Sequence, residues 1–329
     1  MAKRSVRVCY PKAIIFSGAG AMNFEFSEEQ HLLRDQARAF LAEFCPTNTV
    51  RAVLDSENEW DQALWQRVAD MGWTATVIPE AYGGLGLSHY ELAILAEEMG
   101  RCVAPLPFSS SVYLASEAIL AFGSEGQKSE WLPKLASGEC VGTVAMWERP
   151  GALTLEQLAT RRQGDSVSGV KSPVPDAGVA DMVIVLARSE AGLEACLVAT
   201  GQAGVQQQSV MTLDTSRGHS TLTFDNAQAE VLGHCAIEPS AWERLIDGAA
   251  VMFAWEQLGV AESALIQARD YALQRFAFGR AIGSYQAIKH KLAAMYVKNT
   301  LARSNAYYGV WALAEKSSDL PLAAATARV

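Results

Sequence analysis

The chain has 329 residues, half of them apolar and 19% charged, which is room for two or three cores and a composition that excludes disorder. A net charge of −9 excludes nucleic acid as a general partner, because phosphate binding needs a basic excess. The six cysteines (Cys9, Cys45, Cys102, Cys140, Cys196, Cys235) contain no C-x-x-C pair, so free thiols in a reducing, cytoplasmic setting are expected rather than disulfides or zinc.

The first 21 residues carry four basic groups, no acidic one and a short apolar patch, and Met22 follows just before a helix start. Residues 1–22 therefore read as an extension outside the fold, with a targeting segment or an ordered strand as alternatives. No uninterrupted apolar run reaches the ~18 residues of a membrane span. "SEEQ" at Ser27 is a capping box that opens a helix with Leu33, Ala37, Phe40, Leu41 and Phe44 at helical spacing, closed by Cys45-Pro46. A second helix is expected over 61–71, with Leu64, Val68 and Met71 on one side. A third starts at Ser88, with Glu91 completing its cap, and stops at Gly100. Between them "PEAYGGLG" has the glycines of a tight exposed loop. Helical pattern resumes over 109–136, interrupted near Gly123.

From Gly142 to about Gly233 short β-branched runs ("MVIVLA", "ACLVAT", "STLTF") alternate with turn residues, which predicts a small antiparallel β domain. His234 and Cys235 adjoin there. Neighbouring side chains seldom face each other, so loop residues without shared chemistry are preferred to a nucleophile pair. Long helices are expected over 240–274 and 284–315, the second capped by Ser284. The predicted fold class is α+β: an extension (1–22), an N-terminal α-helical domain (23–142), a middle antiparallel β domain (143–236) and a C-terminal α-helical domain (237–329).

The phrases "FSEEQHLLRDQARAFLAE", "PEAYGGLGLSHYELAILAEEMGR", "WLPKLASGE" and "YALQRFAFGRAIGSYQAIKHKLAAMY" fill that order of elements. Together they make the chain, from about residue 23 onward, similar to the acyl-CoA dehydrogenase family of flavoproteins. The resemblance implies that Arg275, Phe278 and Gln286 touch the FAD bound by a neighbouring subunit, Gly279 letting the chain turn close to the ligand. A guanidinium forks onto phosphate oxygens, a ring packs on adenosine and an amide hydrogen-bonds. On residue chemistry alone, Arg275 also fits a cation at a helix C-terminus, with Phe278 in the core.

Two family features are replaced. Where the family phrase resembles A-x-T-E-P-G-A-G-S-D, this chain has "AMWERPGALT": Glu148 and Gly151 survive, the hydroxyl expected to meet the flavin has become Trp147, and Met146, Trp147 and neighbouring backbone groups are the candidates to meet a flavin ring. Where G-x-K-x-W-I-T-N is usual, "GVKSPVPDAG" puts Pro173 and Pro175 in place of the aromatic residue and the threonine. Proline has neither hydroxyl nor N–H to offer. The helix position implied for the catalytic base falls at Ala249, beside Ala250, and the family's other base position lies beyond Val329. Glu256 and Glu262, 240° apart on a helix, point to different faces and read as solvated or interface carboxylates.

The resemblance implies an FAD-dependent oxidation of an acyl-CoA thioester to its 2,3-enoyl product, in fatty acid or steroid side-chain degradation. It implies a homo- or hetero-oligomer with a sister subunit, and an electron-transferring flavoprotein as acceptor. The chain is then either a competent subunit or a partner that keeps the FAD-embracing segment without a ring site of its own. A CoA-ester-binding scaffold without flavin is the remaining alternative.

Overall fold

The computed structural model describes residues 26–328 apart from 57–59, 150, 152–154 and 234–235. The expectations for residues 1–22 and for the His234–Cys235 pair lie outside the described residues.

Helix α1 (Glu28–Phe44) opens on the reciprocal Ser27/Gln30 capping box and buries Ala37 and Leu41. The chain restarts at once after Pro46 as α2 (Thr47–Leu54), a helix the sequence reading did not foresee. Helix α3 (Gln62–Asp70) is capped by Asp61 and buries Leu64, Trp65 and Val68. Met71, expected on that buried side, is its C-cap and 47% exposed, because the helix has ended. Helix α4 (His89–Cys102) starts on the Ser88/Glu91 box and is buried from Leu92 to Gly100. The 109–136 stretch divides into a π-helix (Ser109–Ser116), α5 (Glu117–Phe122) and α6 (Glu125–Ala136), the last opened by a Ser124/Gln127 box.

The middle layer is one eight-stranded sheet: β1 (Gly142–Ala145), β2 (Arg161–Gln163), β3 (Ser166–Pro175), β4 (Met182–Ser189), β5 (Gly192–Ala199), β6 (Val205–Ser209), β7 (His219–Gln228) and β8 (Glu230–Val231). Their order is β6-β7-β3-β2-β4-β5-β8, with β1 also on β4. The sheet is mixed rather than purely antiparallel: β1 runs parallel to β4 from Gly142↔Met182 to Ala145↔Val185, and β2 meets β4 in parallel at Arg161↔Arg188. Parallel neighbours need a long connection instead of a hairpin, and residues 146–181 supply it for β1.

Helix α7 (Pro239–Gln274) ends in a short hairpin of β9 (Phe276–Ala277) and β10 (Arg280–Ala281), followed by α8 (Gln286–Ala314) and α9 (Leu320–Ala327). Ser284 does not cap α8. Tyr285 occupies the cap position without a side-chain bond, and the Ser284 hydroxyl donates to Ala281 O at 2.7 Å. By length and composition α7 is able to cross a bilayer, but half of its most apolar window is buried in this fold.

Helices α4 and α7 cross at a reciprocal pair of glycines. A Cβ on Gly100 would lie 2.0 Å from the Glu256 carbonyl oxygen, and one on Gly259 1.9 Å from that of Glu97. Around the crossing, the buried Glu97 and Glu98 carboxylates are held by arginines from three helices: Arg38 (2.7 Å to Glu98), Arg101 (3.0 Å to Glu98) and Arg303 (2.6 Å to Glu97). Glu262 joins this network at 2.6 Å from Arg303 and 3.0 Å from Arg101, so of the solvated and interface readings it takes the interface one, as a bracing group between helices. Its side chain reaches arginines of α4 and α8 while about a third of it stays open to water.

Candidate cofactor and acyl site

Helix α7 stops at Arg275, whose N–H still donates to Tyr271 O while its ψ of 125° turns the chain into the hairpin. Ala277 pairs with Arg280 and Phe276 with Ala281, leaving Phe278 (φ +51°) and Gly279 (φ +78°) as the two turn residues. Left-handed conformation at both positions is the turn that matches strand twist. Glycine adopts it freely, whereas a phenylalanine there is strained by about 1 kcal/mol or more. Phe278 is 97% exposed, which removes the alternative that it belongs to the core. The hairpin is braced from below: the Tyr285 hydroxyl donates to Ala277 O at 2.9 Å, and the Arg280 guanidinium sits 4.1 Å over the Tyr285 ring. Arg280 is thus committed to Tyr285. Arg275 is exposed and forms no salt bridge among the described residues. Gln286, the first residue of α8, is exposed at the same junction. All three expected residues therefore face outward, beside exposed Tyr271, Leu273 and Phe276. They suit the phosphate and adenosine half of a dinucleotide.

The ring side is different. In the segment after Lys171, the Ser172 N–H donates to Trp147 O at 2.8 Å, its hydroxyl pairs with Thr221 at 2.8 Å, Val174 pairs with Ser220 and the Asp176 N–H donates to Gly218 O at 2.8 Å. Pro173 and Pro175 have no N–H, and the Pro175 carbonyl accepts from Thr143 at 2.7 Å. The Ser172 and Asp176 N–H groups are spent within the protein and the two prolines have none, so the stretch does not fit an isoalloxazine ring that needs a hydroxyl and main-chain donors. Met146 is 1% exposed and part of the core, and its carbonyl accepts from Lys171 at 3.2 Å. Trp147 is half-buried against the same core.

Glu148 is a structural peg. Its carboxylate accepts from Ala159 N and Thr160 N, both at 2.8 Å, and from the buried Lys171 ammonium at 3.1 Å. Burial works to raise its pKa, but those donors outweigh burial and hold the group down at about 2. Burial pushes Lys171 down to about 8, with Glu148 opposing.

The implied base positions, Ala249 and Ala250, are 4% and 7% exposed and carry no titratable group. Glu256, expected as a solvated or interface carboxylate, is not solvated: it is 7% exposed and sits 2.6 Å from Arg217. Its face of α7 is covered by the β6–β7 loop and the π-helix, which also bring Phe253 against the Tyr113 ring, 5.9 Å between centroids. Arg217 donates to the Ser109 hydroxyl, and the Ser110 hydroxyl donates to Asp176, a fully enclosed residue at φ +51°. Burial lifts Asp176 to about 6, against the pull of Arg217 and Ser110, and burial together with Glu256 raises Tyr113 well above its usual range. Among the described residues, Glu256 Oε1 and the Tyr113 hydroxyl have no hydrogen-bond partner. No sequence signal points to this cluster, because its members come from a serine run, other segments and a helix far apart in the chain. Among the described residues no group of acidic, histidine or cysteine side chains could hold a metal ion.

The acyl-CoA dehydrogenase N-terminal domain matches residues 27–139, and the acyl-CoA dehydrogenase C-terminal domain matches residues 240–329. Acyl-CoA dehydrogenase IpdE2 of Mycolicibacterium smegmatis is 30% identical over 281 residues, which cover 84% of this chain and 75% of the relative. Among solved structures, the Tcur3481-Tcur3483 steroid ACAD is 32% identical with a TM-score of 0.82, covering 92% of this chain and 82% of that one. The ChsE4-ChsE5 complex from Mycobacterium tuberculosis is 26% identical with a TM-score of 0.84, covering 93% and 83%. With both terminal domains matched and a relative aligned along most of its length, the chain belongs to the acyl-CoA dehydrogenase family, oxidoreductases acting on CH–CH bonds.

Proposed function

We propose that this chain is the FAD-embracing partner subunit of a heteromeric acyl-CoA dehydrogenase whose sister subunit oxidises an acyl-CoA to the 2,3-enoyl-CoA. The observation that carries this reading is the contrast between its two half-sites. The hairpin junction offers Arg275, Phe278 and Gln286 outward, while the ring-side segment has its donors consumed and two prolines in place. When bound, FAD supplies the hydride acceptor for such an oxidation. This chain's part is to hold the cofactor: Arg275 neutralises phosphate charge, Phe278 covers the adenosine and Gln286 supplies an amide. Ala249 leaves it no carboxylate at the helix position to abstract a proton.

Assembly into an oligomer is supported by the apolar side chains that α7, the hairpin and α8 leave exposed, including Leu273, Phe276, Tyr296, Val297 and Leu301. The similar steroid ACAD and the similar ChsE4-ChsE5 complex support a thioester from steroid side-chain degradation and a two-chain assembly. The similar structure from an electron transferring flavoprotein study of Acidaminococcus fermentans supports that class of acceptor. Residues 23–142, 143–236 and 237–329 are the proposed domains, and a cytoplasmic location is part of the same reading.

Absorbance near 450 nm tests the proposal. The chain purified alone is expected to be colourless, and yellow when co-expressed with a sister subunit. Replacing Arg275 with Ala is expected to lower FAD retention of the complex by about tenfold or more, the value of one charge-assisted pair. A chain that is yellow by itself, or FAD retention indifferent to Arg275→Ala, refutes it.

A further inference from the structure

On the face of α7 that carries Ala249, Phe253 and Glu256 follow four and seven residues on, so the three line one side of the helix. A thioester whose α carbon is to meet a base at Ala249 has to lie against that side. In this chain the same side is occupied one and two turns on, where Arg217 lies against Phe253 and Glu256. Resting on the partner-subunit reading, we infer that the Arg217–Glu256 pair, backed by Tyr113, is a latch that shuts this chain's own acyl cleft.

Arg217 reaches the cleft from outside. Its loop, 210–218, holds Met211 and Leu213 in solvent at 97% and 104% exposure, and Arg217 turns inward to bond Glu256 and Ser109. The guanidinium also lies 5.9 Å from the Phe253 ring, which itself packs on Tyr113. The inserted side chain thereby joins three layers: the β domain, the π-helix and α7. Asp176 and Ser110 pin the same two outer layers together beside it. A hydrocarbon chain entering here has to expel Arg217 and leave Glu256 buried without its counter-charge. Removing one partner of a buried pair costs more than burying a few methylenes returns. The latch therefore selects against acyl chains by charge as well as by volume. It also explains how a carboxylate comes to lie buried beside a phenol on a face with no catalytic base.

Isothermal titration of the full chain with octanoyl-CoA and with free CoA tests the latch. For the parent chain the two are expected to bind alike, within about threefold, because no acyl group enters. The Arg217→Ala/Glu256→Ala double variant removes both charges at once and is expected to bind octanoyl-CoA about 100-fold more tightly than CoA, the value of a few buried methylenes. Arg217→Met/Glu256→Leu keeps the space filled and is expected to behave like the parent. Octanoyl-CoA binding ten times tighter than CoA in the parent overturns the inference whatever the variants do, as does a folded double-alanine variant that shows no gain. Colour of the sister complex reports separately on the partner-subunit reading, so the latch and that reading fail independently.

Discussion

Replacing Asp176 with Asn is expected to stabilise this protein at neutral pH and to lose that advantage in acid. Asp176 is enclosed, stands at φ +51° and accepts from the Ser110 hydroxyl. Burial raises its pKa from 3.8 to about 6. A tenfold change in proton affinity corresponds to 1.36 kcal/mol, so holding the ionised form inside the fold costs on the order of 3 kcal/mol above pH 6. The folded state binds the proton more tightly than the unfolded state. The cost is therefore complete above the folded pKa, shrinks as pH falls through 6, and is gone below 3.8. Asparagine keeps an acceptor for Ser110, tolerates the left-handed backbone and carries no charge. Melting curves of parent and Asp176→Asn across pH 4 to 8 are the assay. The variant is expected to melt higher by several degrees at about pH 7.5, with the gap closing toward pH 4. A gap that is constant with pH, or that widens in acid, refutes the account of Asp176 as a charge held at a loss.

The remaining predictions concern other parts of the frame. Gly259→Ala sets a methyl 1.9 Å from the Glu97 carbonyl oxygen at the α4–α7 crossing, so unfolding in denaturant is expected to show a loss of about 3 kcal/mol or more. Lys171 has its pKa lowered from 10.5 to about 8, so the folded state gives up this proton first and the parent gains stability as pH climbs from 8 toward 10.5. Lys171→Met is expected to lack that gain in melting curves over the same range. Phe278→Gly relieves a strained turn residue that packs on nothing, so its melting temperature is expected to hold or rise while FAD retention by the sister complex falls.

Legibility of the fold followed the range of the interactions. The capping boxes at Ser27 and Ser88 were readable because donor and acceptor lie three residues apart. The 320–327 helix was missed although its buried Leu320, Ala323, Ala324 and Ala327 keep helical spacing, because small side chains give a weak hydrophobic signal. The parallel partner of β1 was beyond reach, since it is chosen forty residues downstream at Met182. The same holds for the candidate site. Arg275, Phe278 and Gln286 are singled out by the resemblance of one contiguous phrase to the family, since residue chemistry alone also fits a helix-end cation and a core ring, whereas the Glu256 environment depends on Arg217 and Tyr113, which only tertiary packing brings near. Prolines at 173 and 175 were legible as missing chemistry, because proline lacks an N–H in any context.

The hairpin at the end of α7 takes its shape from two pairings, a turn and the Tyr285 brace, all within eleven residues of Arg275. Nothing in it waits for a second molecule to be ordered. The backbone that carries its aromatic tip is already shaped before an incoming surface arrives, so the ordering left for docking falls on the exposed Phe278 and Arg275 side chains, and association is expected to proceed as capture by a preformed turn rather than as folding upon contact.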